Sequence, residues 1–75
     1  MEELCGIITP TLQIQNKKNR AKDPASFFEF RSEDLEGVRG TWHTHPTTPA
    51  NLSLPDYYFF MGYPNLIHFI ISSTT

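Results

Sequence analysis

Seventy-five residues allow one small domain, residues 1–75, and at this size folding hides only about 60% of the chain's surface from water. One cysteine, Cys5, rules out an internal disulfide and suits a reducing compartment, and a net charge of −2 argues against a nucleic-acid or anionic-membrane binder. Met1 is followed by two acids rather than a basic and then an apolar segment, and the longest apolar stretch, Leu66–Ile71, is too short for a bilayer, so a cytoplasmic protein is expected.

Along the chain, Leu4–Ile8 is an apolar run closed by Thr9-Pro10, and Thr11–Gln15 alternates, with Leu12 and Ile14 on one face. The two runs predict a hairpin with Pro10 in its turn. Residues 16–26 are a polar loop broken at Asp23-Pro24. It holds Lys17, Lys18, Arg20 and Lys22, four of the six basic residues, with no aromatic side chains among them, so a solvated loop is expected rather than a binding patch. Phe27–Phe30 predicts a short aromatic strand. Ser32 predicts a capped short helix, with Glu33 and Asp34 near its positive end.

A further strand is expected over Thr41–His45, then a Pro- and Thr-rich loop, Pro46–Leu52. Ser53 opens a helix to about Met61, ended by Gly62 and Pro64. Asn65–Ser72, apolar at both parities, predicts a central strand covered on both sides. The expected fold class is mixed α and β, a mixed sheet with helices packed on it.

The chemistry concentrates at His43-Thr44-His45-Pro46 and Ser53-Leu54-Pro55-Asp56. On a strand, positions i and i+2 face one way, about 6.5–7 Å apart, so His43 and His45 can aim two imidazoles at one ion. Asp56 falls in the first turn of the following helix. Two histidines and a carboxylate make a three-ligand zinc site, and three protein ligands leave the fourth position for water, as in catalytic zinc centres. Such a water becomes a nucleophile near neutral pH but needs a base for its proton. Glu2 and Glu3 are the only acids before position 20.

Each feature also has an ordinary explanation. The histidines could be plain strand residues. Ser53-x-x-Asp56 is also a capping box, a role that can coexist with metal binding through one carboxylate oxygen. Cys5 reads as a small buried thiol, His68 as a structural histidine within an apolar strand, and Tyr57, Tyr58, Phe59 and Phe60 as core aromatics. Trp42, opposite in parity to His43, should pack beneath the site.

The pattern His43-x-His45-x7-Ser53-x2-Asp56, with Glu3-x-Cys5-Gly6 upstream, resembles the JAMM motif of the JAB/MPN metalloprotease family. A chance match to the four downstream residues is on the order of one in a few thousand. Asn19 and Asp23-Pro24…Phe28-Glu29-Phe30 also resemble prokaryotic and phage members, so the likeness runs from Glu3 to about Ser72. It implies a cytidine-deaminase-like JAB/MPN fold, shortened at both ends, and a zinc-dependent peptidase or isopeptidase. It implies one zinc per chain on His43, His45 and Asp56, with Glu3 as general base and Ser53 steadying the oxyanion. The substrate would be a peptide or protein, such as a ubiquitin-like protein tail or a peptidoglycan peptide, and phage association would also fit. The other reading is an inactive MPN-like assembly module whose exposed sheet edges are covered by a partner chain or a second copy.

Overall fold

A computed structural model describes residues 2–23, 27–46 and 53–72. Four strands form one sheet: β1 (Cys5–Ile8), β2 (Ile14–Lys17), β3 (Gly40–His45) and β4 (Ile67–Ser72). Their order is β2-β1-β3-β4, with β1 antiparallel to both neighbours and β3 parallel to β4. A parallel pair needs a crossover. Here it contains the single α-helix of the described residues, α1 (Leu54–Gly62), as the sequence predicts. A 3₁₀ turn over Ser32–Leu35 buries Leu35. The class is therefore mixed α and β, and no helix of the described residues is long and apolar enough to cross a membrane.

Four expectations need correction. The hairpin turn does contain Pro10, with the Leu12 amide bonded to the Thr9 carbonyl, but Leu12 takes φ 66° there. The second strand therefore begins only at Ile14 and runs into Asn16 and Lys17, which the polarity pattern assigned to a loop. Phe27–Phe30 forms no strand. Its rings instead pack edge-on and face-on against one another and α1, with Phe28 and Phe30 lying 5.2 and 5.7 Å from Phe59. The short turn is capped from Arg31, one residue before Ser32: the Arg31 amide donates to the Asp34 carboxylate at 3.3 Å. Most of the Pro46–Leu52 loop and the Pro24 side of the Asp23-Pro24 break lie outside the described residues.

β4 is the larger correction. It is an edge strand, and it is covered on one side only. His68 and Ile70 share a face with Thr41 and His43, under α1, where Phe60 stacks on His68 at 4.2 Å. Ile67, Phe69 and Ile71 point the other way and are half exposed. With Ile14 and the turn residue Leu12 they leave an apolar back face on which no helix of the described residues sits. An apolar run reveals burial preference, whereas strand order and the layer above it depend on the rest of the chain.

Trp42 does lie on that back face, opposite His43, and is 8% exposed. Its indole crosses Gly6, its cross-strand partner, and donates Nε1–H to the Gln15 carbonyl at 3.3 Å. A Cβ at Gly6 would collide with the Gln15 carbonyl oxygen and the indole. Gly6→Ala is thus expected to cost about 2–3 kcal/mol, the typical penalty of overpacking plus a lost hydrogen bond. Urea unfolding followed by Trp42 emission checks it; an unchanged midpoint and wavelength would show that the indole does not need this gap.

Candidate metal centre

The strand register builds the site. Cys5 pairs with His43 across β1 and β3. One step further out, Leu4 and Thr44 exchange contacts: the Thr44 amide donates to the Leu4 carbonyl at 2.9 Å and the Leu4 amide donates to the Thr44 hydroxyl at 2.8 Å. The ladder therefore extends past the end of β1 and lays Glu3 beside His45. Alternation then puts Glu3, Cys5, His43 and His45 on one face. All four are buried.

From above, α1 delivers Asp56. Ser53 caps the helix: its Oγ accepts from the Asp56 amide, and the Asp56 carboxylate accepts from the Ser53 amide, both at 3.2 Å. Pro55 occupies the first turn, where its missing N–H costs nothing. This box fixes Asp56 so that its two oxygens reach two histidines. Oδ1 lies 3.2 Å from His43 Nε2 and Oδ2 lies 3.1 Å from His45 Nε2. The cap and the two histidine contacts of Asp56 thus coexist, and the residue is 3% exposed.

The two Nε2 atoms are themselves 3.1 Å apart. Zinc–nitrogen bonds of about 2.0–2.1 Å in a tetrahedron place neighbouring donors roughly 3.3–3.4 Å apart. The Nε2–Nε2 separation is close to that size, and each ring nitrogen meets its own Asp56 oxygen, Oδ1 at 3.2 Å for His43 and Oδ2 at 3.1 Å for His45. Glu3 joins from the β1 side: its carboxylate, with one nitrogen from each histidine, forms a set in which all atoms lie within 4.8 Å of one another. A buried Glu3–His43–His45 group could hold a metal ion. Two carboxylates, Asp56 from α1 and Glu3 from the edge of β1, therefore lie beside the two imidazoles.

Burial, working against the attraction of Asp56, holds the His43 pKa below its usual value, so its ring tends to the neutral form that binds metal. Burial likewise pushes the Glu3 carboxyl up to about 7, with His45 pulling the other way. Burial, followed by the acids Asp34 and Glu3, raises Cys5 to about 11, so it is an inert buried thiol as the sequence suggested. His68 is fully engaged elsewhere. Its Nε2 donates to the Tyr63 carbonyl at 3.0 Å, and its Nδ1 meets the Thr41 hydroxyl at 2.7 Å.

Sequence reasoning assembled Glu3, His43, His45, Ser53 and Asp56, and the structure brings all five to one place. It missed Phe28, whose ring stacks on His43 with centroids 4.0 Å apart and planes at 22°. It also missed Thr44, which ties Leu4 to β3. Phe28 was hidden because an aromatic run reads as a strand; Thr44 because a single hydroxyl within a strand gives no signal. No family model matches the chain, and no curated protein matches it.

Proposed function

We propose that this chain is a zinc-dependent metallopeptidase or isopeptidase of JAMM type. The observation that supports it most is the buried cluster in which His43 Nε2 and His45 Nε2 lie 3.1 Å apart, each 3.1–3.2 Å from its own oxygen of Asp56, with a second carboxylate beside them. His43, His45 and Asp56 would hold one zinc, which when bound supplies a Lewis acid and a water acidic enough to attack near neutral pH. Glu3 acts as general base: its carboxylate takes the proton of the attacking water and hands it to the leaving amine. A carboxyl raised to about 7 matches that task better than an ordinary one. Ser53 Oγ accepts from the Asp56 amide, which leaves its own proton to donate to the oxyanion of the scissile carbonyl. The substrates proposed are peptide or isopeptide bonds, as in a ubiquitin-like protein tail or a peptidoglycan peptide, met in the cytoplasm or in a phage particle.

The test combines metal analysis with hydrolysis of a fluorogenic ubiquitin-tail amide and a muropeptide. One zinc per chain is expected, and Glu3→Gln should retain it while losing about 10²–10⁴-fold in rate. A Glu3→Gln variant as active as the parent removes the assigned base. The exposed apolar back face of Leu12, Ile14, Ile67, Phe69 and Ile71 favours a second reading, an inactive module that buries this face on a partner chain. A metal-free, inert, obligately oligomeric protein would favour that reading.

A further inference from the structure

Asn19 lies outside the sheet and outside the donor set, yet its side chain spends its whole hydrogen-bonding capacity on the two segments that frame them. Nδ2 donates to the Glu3 carbonyl and to the Phe27 carbonyl, both at 2.8 Å. Oδ1 accepts from the amides of Ala21 and Glu29, both at 3.1 Å. A primary amide has two N–H donors and two acceptor lone pairs, and all four are used. The contacts span 16 residues back to Glu3 and 8 and 10 residues forward to Phe27 and Glu29.

Those two segments meet at the metal centre from different sides. The main chain of Glu3 lies just outside β1; Thr44 holds its neighbour Leu4 from β3, and Asn19 holds its carbonyl from the loop side. The segment bonded through Phe27 and Glu29 contains Phe28, the ring stacked on His43. We infer that Asn19 is a positioning residue for the metal centre, setting the Glu3 carboxylate and the His43 ring through one amide. The inference rests on the zinc reading of the site. The chemistry allows few substitutes: aspartate keeps an acceptor for Ala21 and Glu29 but loses both donors, and alanine loses all four bonds.

Cobalt(II) in place of zinc gives a visible spectrum sensitive to ligand geometry, independent of any substrate. Partners behind metal ligands typically change affinity by about 10–100-fold. Asn19→Ala is therefore expected to weaken cobalt binding at least tenfold and to alter the band shape. Combined with Phe28→Leu its effect should be less than additive, because both act on the His43 ring. Trp42→Phe, which disturbs the opposite face of the sheet, should leave the spectrum unchanged. Asn19→Asp keeps the acceptor half and serves if the alanine variant does not fold. An Asn19→Ala or Asn19→Asp protein with the parent's spectrum and an affinity within twofold overturns the inference while the zinc reading stands. A parent chain that binds no cobalt or zinc overturns both.

Discussion

Zinc at a hundredfold excess over its dissociation constant is expected to stabilise the fold by about 2.7 kcal/mol. For a chain of this length that is a rise in thermal midpoint of roughly 10–20 °C, reversed by a chelator. That size is set by mass action at the stated excess; the affinity behind it comes from what the cation relieves. Without it, two ring nitrogens and a carboxylate face one another across 3.1–3.2 Å, nearly sealed from solvent. Lone pairs at that distance are tolerable only with a proton between them, and burial disfavours a charged His43 ring. A divalent ion would satisfy all three side chains at once and reinforce the link between β3 and α1, which already meet through the His43 and His45 contacts to Asp56 and through aromatic packing. Calorimetry with and without zinc reads the shift directly; a midpoint that does not move would mean that the cluster is a hydrogen-bonded polar core.

The second large effect separates the two carboxylates and the two jobs of Asp56. Asp56→Ala should weaken zinc binding by more than the roughly 100-fold that an outer partner typically costs, because a ligand itself is lost. Ser53→Ala removes the hydroxyl that accepts from the Asp56 amide and should cost about 1 kcal/mol of stability, with zinc affinity changed less than tenfold. Glu3→Gln should leave the affinity nearly intact. If Asp56→Ala and Ser53→Ala shift affinity alike, Asp56 matters only as a cap. If Glu3→Gln loses the metal, Glu3 is a ligand and not a base. Isothermal titration on the three variants distinguishes these outcomes.

How much of this was readable from the sequence differed by element, for physical reasons. β3 and α1 were legible because each carries its own local signal. The His-x-His spacing fixes a shared face once the segment is extended, and Ser53-Leu54-Pro55-Asp56 starts a helix with its cap, its N-terminal proline and its first-turn acid together. Because those two elements supply His43, His45 and Asp56, the meeting of these three side chains was legible with them. Glu3 was legible only through its likeness to a motif; its reach to His45 depends on the β1–β3 register and on Thr44, which are long-range facts.

The edges of the sheet were not legible. Alternation at Thr11–Gln15 suggested a strand, yet Leu12 sits at φ 66°, a conformation that costs a branched-chain residue about 1–2 kcal/mol and that only the closure of the turn explains. The aromatic residues Phe27–Phe30 have high strand propensity, but that propensity reflects packing on a half-buried surface, and here the surface is α1 and the His43 ring. β4 offered apolar residues at every parity except His68 and so suggested cover on both sides; the described residues cover only the side facing α1.

The central claim is that two histidines and Asp56 converge on one cation while Glu3 faces it without binding. Anomalous diffraction from zinc-loaded crystals tests this most directly. The account predicts a single peak about 2.0–2.1 Å from His43 Nε2, His45 Nε2 and one Asp56 oxygen, with the Glu3 carboxylate beyond bonding distance. No peak at that position, or a peak bonded to Glu3 with Asp56 turned wholly to the amides of its own helix, would contradict it.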